Sequence, residues 1–426
     1  MNFIAGIILA AIVVDFILHG LADFLNLKML QDELPEAFHG FYDKDSYRKS
    51  QEYLRVNTKF GWITSTFNIS VILIFWFGKG FPLLDQWVRS WNLGSITAGL
   101  IYIGALLLFK ALLSLPFSIY STFAIEERFG FNKTTWPTFI TDIIKVSVLS
   151  VLLGGPLLAG ILIFFEYAGA GAWLYCWIAV TIFMLVVQFI APTWIMPLFN
   201  KFNPLEDGEF KQAIMSYARS INFPLENVFV MNGSRRSSKS NAFFTGFGKH
   251  KRIVLFDTMI EQHTAPELVA VLAHEMGHYK KKHILKRIII AIAQIGLMLF
   301  LFSLFISYQG LFDAFYMEGK SVYAGLIFFG MLYSPIDFFI GIFMHIYSRK
   351  NEYEADRFAV ETTGNPQSMA NALKKLSVNN LSNLIPHPLY VFLNYSHPPV
   401  LDRLKIILGT RKTSGTKRAE RETAGA

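Results

Sequence analysis

Five residues, His274-Glu275-Met276-Gly277-His278, are the part of this chain whose types and spacing could do chemistry. On a helix, residues four apart share one face, so the two imidazoles can grip a single metal ion. Glu275, beside the first histidine, is placed to work on a metal-held water rather than to bind the metal. Such an arrangement supports hydrolysis of a peptide bond at zinc. The other reading is a solvated helix face with two unrelated histidines, and the surroundings argue against it. Residues 265–279 are good helix formers and Pro266 suits a first helical turn. Leu268, Val269, Leu272 and Met276 form an apolar stripe at helical spacing, which places the histidines on a defined element.

The elements that must position this motif are membrane helices. Hydrophobic residues make up 53% of the chain and charged residues 16%, with a mean hydropathy of +0.39. A soluble domain carries about a quarter charged residues. The apolar residues are blocked into seven runs: 3–18, 62–77, 95–123, 143–165, 173–191, 288–307 and 323–347. Gly154-Gly155-Pro156 predicts a kink in the fourth. The first lacks the basic n-region and cleavage site of a signal peptide and reads as a membrane helix.

The formal charge of +8 is one-sided. Segments after the first, third, fifth and seventh spans hold nearly all the Lys and Arg, including Arg48, Lys49, Arg235, Arg236, Lys280, Lys281, Lys282, Arg349 and Lys350. The opposite side has little beyond Lys79, Arg89 and Lys320. By the positive-inside rule the basic side is cytoplasmic and the N terminus faces out. No basic patch is interleaved with aromatics, which excludes nucleic acid as a partner.

A catalytic zinc takes three protein ligands and leaves one position open. The third must lie on the motif's side of the membrane, and the chain returns there after the seventh span. There stand Glu352 and Asp356, an i,i+4 pair of which one can bind metal while the other orients a ligand. The competing reading is a charged juxtamembrane helix paired with Arg349 or Lys350. Among the other histidines, His19, His39 and His345 read as structural and His283 as part of a solvated face. His397, opening His397-Pro398-Pro399, lies on the correct side. The single cysteine, Cys176, falls in the fifth span and reads as a buried apolar residue, excluding an internal disulfide or a multi-cysteine zinc knuckle.

This pattern divides the chain into five parts. They are spans one to five with their loops (1–199), a motif-bearing segment (200–286), spans six and seven (287–347), a segment with the third ligand (348–409), and a basic, disordered tail (410–426). Within the second, 206–220 reads as an amphipathic helix, 227–231 and 252–256 as strands, and 233–239 as a polar turn.

The ordered set of motifs resembles the type I CAAX prenyl proteases, integral-membrane zinc endopeptidases of the gluzincin type. The anchors are Glu126-Glu127-Arg128-Phe129-Gly130-Phe131-Asn132-Lys133, Pro197-Leu198-Phe199-Asn200-Lys201-Phe202, Ser237-Ser238-Lys239-Ser240-Asn241-Ala242-Phe243-Phe244 and Arg252-Ile253-Val254-Leu255-Phe256-Asp257-Thr258. The His274 motif, the stretch from Glu352 to Ala359 and His397-Pro398-Pro399 complete it in order. The resemblance implies an all-α multi-pass fold of seven transmembrane helices forming a barrel around a chamber, with a small α+β metalloprotease portion on the cytoplasmic side. It implies one zinc ion held by His274, His278 and Glu352, with Glu275 as catalytic carboxylate. It also implies that Asn241, His397 and Arg403 hold substrate or the developing oxyanion; beside a Glu352 ligand, the i,i+4 placement then makes Asp356 the residue expected to hydrogen-bond a ligating histidine. The implied substrate is a protein or peptide prenylated at a C-terminal CAAX cysteine, met at the lipid bilayer. Rival readings are a heat-shock membrane protease, whose chains have fewer spans, and a non-enzymatic membrane protein keeping a zinc site, which lacks a fourth ligand here. A site-2 protease would bury the motif in an apolar span, whereas Lys280, Lys281 and Lys282 follow it directly. With no retrieval signal recognised, a bacterial inner membrane is expected over the endoplasmic reticulum.

Overall fold

The computed structural model describes residues 2–245 and 251–409; the tail expected to be disordered, 410–426, lies outside them. Among the described residues seven helices are long and apolar enough to cross a membrane: Phe3–Lys28, Lys44–Phe77, Ser95–Glu126, Trp136–Tyr167, Gly169–Leu198, His283–Phe305 and Val322–Thr363. All seven expected spans are present. The second and seventh run far beyond their apolar stretches, because backbone hydrogen bonding continues into polar residues that no hydropathy count includes. The second starts where the Asp43 carboxylate accepts the Ser46 N–H at 2.8 Å. The seventh stops only at Gly364, left-handed at φ 63°. The expected kink in the fourth appears as a π-type turn over Ser150–Gly154, after which Pro156 opens a new α-helical stretch.

The spans bury little against one another in their middles: 6–22% of each apolar stretch. They are held instead at their two ends. At one end Trp76, Phe81, Tyr102, Phe312, Phe315 and Phe328 pack into a mostly aromatic core. At the other, Phe38 and Tyr42 join a larger core with Val228, Leu272, Met276, Ala359 and Leu404. Between these cores the spans surround a chamber. A cavity of about 1390 Å³ between spans one, two, three and seven is lined by apolar residues together with Asp15, Asp23, Lys110 and Asp337. Cys176 is fully buried within the fifth span.

The larger core contains a four-stranded sheet built from β1 (Phe202–Pro204), β2 (Leu225–Met231), β3 (Ala242–Thr245) and β4 (Lys251–Phe256), in the order β1-β2-β4-β3. The expected strands fall within β2 and β4, which pair in parallel. β1 and β3 pair antiparallel with them and are too short to show a periodicity of their own. β3 is an edge strand, and it packs against the motif helix Ala265–Lys280. That helix begins with a reciprocal cap: the Thr264 side chain accepts from the first turn, and the Glu267 carboxylate accepts the Thr264 N–H at 2.9 Å. Lys375 donates to the same carboxylate at 2.7 Å.

The motif helix and the extension of the seventh span cross at close range. A Cβ on Gly277 would stand 3.3 Å from the Cα of Ala355 and 3.1 Å from the ring of Phe358. Gly277→Val puts a branched side chain into that contact, where overpacking costs about 1–3 kcal/mol. The expected result is a lower thermal midpoint in detergent together with weaker metal binding; an unchanged midpoint would show that the crossing tolerates separation.

Candidate metal centre

His274 and His278 project from the motif helix, and Glu352 from the extended part of the seventh span, which crosses it at Gly277. Their ligand atoms lie within 4.8 Å of one another. His274 Nε2 and His278 Nε2 are 3.1 Å apart. Glu352 Oε2 is 3.4 Å from His274 Nε2, and Oε1 is 3.2 Å from His278 Nε2. Two ligands about 2.05 Å from a tetrahedral zinc would stand about 3.3 Å from each other. These three edges, 3.1, 3.2 and 3.4 Å, therefore suit one small cation. Glu352 Oε2 is buried without a well-directed hydrogen bond among the described residues, although His397 Nδ1 stands 2.8 Å away. A poorly satisfied carboxylate oxygen facing two imidazole nitrogens is the donor set that a divalent metal completes.

Behind this trio lies a charged layer. Asp356 is fully buried one turn beyond Glu352, and its Oδ1 is 2.8 Å from His274 Nδ1. Arg403 clamps the same carboxylate with Nε at 2.9 Å and Nη2 at 2.7 Å. Its Nη1 also approaches Glu352 at 3.7 Å. Burial pushes the His274 imidazole down, but its contacts with Asp356 and Glu352 outweigh that and lift it to about 9. The cluster is thus short of positive charge, as a cation site should be. Arg403, expected to hold substrate, has its guanidinium committed to Asp356 here.

Two further candidates approach the centre. Glu275 is half-buried between the two histidines on the motif helix and near enough to act on the Arg403 charge. His397, with 65% of its side chain exposed, reaches Glu352 from the loop before helix Val400–Gly409. Asn241 lies apart, just before β3. Its Oδ1 accepts the Ala242 N–H at 2.8 Å, and its carbonyl accepts the Phe256 N–H at 3.0 Å. Arg349, the rival partner for Glu352, instead donates to the carbonyls of Val391 and Tyr395 at 3.0 and 2.5 Å.

Several functional supports escape inspection of the sequence. Lys239 Nζ donates to Tyr53 Oη at 2.8 Å and to Glu126 Oε2 at 2.9 Å, while Tyr53 also donates to Glu126. Arg236 holds both oxygens of Asp142, at 2.7 and 2.9 Å, and Asn200 Oδ1 at 2.8 Å. The Lys239 latch ties the Glu126 and Ser237 segments together across 113 residues and the Arg236 latch reaches Asp142 across 94, and nothing local in the sequence signals either. His283 is the clearest miss. It is not on a solvated face but 2% exposed, between His278 and Glu354.

A family model for the CAAX prenyl protease N-terminal region, with five membrane helices, matches residues 23–201, and that of peptidase family M48 matches residues 204–411. The probable CAAX prenyl protease 1 of Schizosaccharomyces pombe is 37% identical over 89% of this chain and 83% of its own length. The CAAX prenyl protease 1 homolog of Arabidopsis thaliana is also 37% identical, over 94% of this chain and 96% of its own. The crystal structure of S. mikatae Ste24p superposes with a TM-score of 0.90 at 33% identity, covering 96% of this chain and 99% of that one. These relatives are eukaryotic and give the bacterial inner membrane no support; they favour neither the heat-shock nor the non-enzymatic reading. With family matches over both halves and relatives of this identity along nearly its whole length, the chain belongs to the CAAX prenyl proteases of peptidase family M48, membrane-embedded metalloendopeptidases.

Proposed function

We propose that this protein uses one zinc ion to cut peptide bonds near the C terminus of proteins prenylated at a CAAX cysteine. The observation that carries the reading is the convergence of His274, His278 and Glu352 beside Glu275. Its setting adds support, because Asn394, three residues before His397, lines the membrane cavity. The substrate class comes from the relatives, which are named for it.

His274, His278 and Glu352 would hold the zinc, which when bound supplies Lewis-acid polarisation of a water and of the scissile carbonyl. Glu275, beside both histidines, would serve as the base that takes a proton from the attacking water and as the acid that returns it to the leaving amine. His397, with most of its side chain exposed beside Glu352, is placed to donate to the oxyanion. Asp356 accepts from His274 Nδ1 and so keeps Nε2 free to bind metal, and Arg403 holds Asp356 ionised. Asn241 opens the edge strand β3, to which extended substrate backbone adds as a further strand. The segments 200–286 and 348–409 form the two halves of the protease portion, and 1–199 with 287–347 the membrane portion. The basic end, with Arg48, Lys280 and Arg349, faces the cytoplasm.

Glu275→Gln should retain its metal while cleavage of a farnesylated CAAX peptide falls by about 10²–10⁴-fold; near-normal turnover would remove Glu275 as the base. The unprenylated twin peptide should be cut far more slowly by the parent enzyme. Equal rates for the two peptides would discard prenyl selectivity and keep the protease. Glu352→Ala should abolish stoichiometric zinc, and Asp356→Ala should weaken it about 10–100-fold; metal analysis of purified protein decides both.

The raised His274 has a pH consequence. Its folded value of about 9 exceeds the ordinary 6.5. Its proton therefore stabilises the metal-free protein fully below pH 6.5, a contribution lost as pH rises through about 9. Zinc must displace that proton, so binding at pH 7.5 should release about one proton per chain and tighten toward pH 9. Calorimetry in buffers of different ionisation enthalpy measures the release; none would mean that His274 is already neutral.

A further inference from the structure

His283 follows His278 by five residues. On an uninterrupted helix the two would point about 140° apart. They meet because the chain turns. The motif helix ends at Lys280, Lys282 takes a left-handed φ of 59°, and the sixth span begins at His283 itself. Lys280 Nζ fastens this corner to the carbonyls of Ile221 and Asn222, at 2.9 and 3.2 Å. The corner folds His283 back beneath the metal centre. Its Nδ1 stands 3.1 Å from His278 Nδ1, and its Nε2 stands 3.2 Å from Glu354 Oε2. Glu354 comes from the same extension that carries Glu352.

Two imidazole nitrogens at that distance share one proton, one donating and the other accepting. If His278 binds a cation through Nε2, that nitrogen is bare and its proton sits on Nδ1. His278 Nδ1–H then donates to the lone pair of His283 Nδ1. This leaves the His283 proton on Nε2, which donates to the Glu354 carboxylate. The chain of donors has one consistent direction, from His278 through His283 to Glu354.

We infer that His283 and Glu354 are positioning residues that set the tautomer and ring orientation of His278, as Asp356 does for His274. The inference rests on His278 being a metal ligand. It makes the centre doubly backed: each histidine presents Nε2 to the cation and Nδ1 to its own buried acceptor. The two backings use different elements, and the left-handed corner at Lys282 exists between the motif helix and the sixth span to close the second one.

The test is the apparent zinc dissociation constant of the full chain in detergent, measured by chelator competition on metal-stripped protein, with its thermal midpoint recorded. His283→Leu, which removes the acceptor, should weaken zinc binding about 10–100-fold. His283→Asn, whose Oδ1 stands near the place of Nδ1, should recover most of that loss. Glu354→Leu should weaken binding several-fold and Glu354→Gln, which keeps an acceptor, should not; with Glu354 37% exposed, this pair folds even if His283→Leu does not. Wild-type affinity in His283→Leu, or equal loss in the Leu and Asn variants, overturns the inference. His278→Ala is measured alongside. If it binds zinc like the parent, the ligand assignment itself fails; if it alone loses zinc, only the positioning role fails.

Discussion

Asp356 is fully buried, and an unpaired buried carboxylate would cost several kcal/mol. Its ionisation is sustained by Arg403, clamped on both oxygens, and by His274 on one. That three-way contact is the point on which the architecture turns, because each partner arrives from a different part of the chain. Arg403 comes from the last described helix, His274 from the motif helix, and Asp356 from the extension of the seventh span. Remove any one and the others keep a charge or a donor that water cannot reach. The fold of the protease end is therefore tied to the electrostatics of its centre.

The same logic extends outward. The larger core draws in Phe38 and Tyr42 from the loop after the first span, and the latches of Lys239 and Arg236 bring in the ends of the third and fourth. Loops from distant spans thus converge on one small sheet and helix assembly. With the aromatic core closing the opposite end, the spans need not pack tightly in between, and a chamber can persist there.

Local regularities were legible in the sequence. The spacing of His274 and His278, the i,i+4 pair Glu352 and Asp356, and the seven apolar runs depend only on helical geometry and burial. The cap Thr264 to Glu267, absent from the sequence reading, has a local signature as well, a Thr-x-x-Glu ahead of an apolar run. What escaped depends on contacts distant in sequence or on unusual backbone. Lys239 meets Glu126 across 113 residues. His283 was misplaced because continuing the helical periodicity past Lys280 is reasonable, and a lysine gives no sign of adopting left-handed φ. β1 and β3 exist only because β2 and β4 offer them edges.

The seventh span has a mechanical consequence. One helix of 42 residues carries the chamber wall at Asp337 and the candidate ligand Glu352. Pro335 interrupts its hydrogen bonding where it borders the cavity. From Pro335 to Glu352 the rod is about 25 Å long. A swing of one degree at the proline would carry the carboxylate by about 0.4 Å, beyond the ±0.2 Å that metal coordination tolerates. The chamber wall and the candidate metal centre are thus built on one continuous helix, and the crossing at Gly277 is what holds its far end in place.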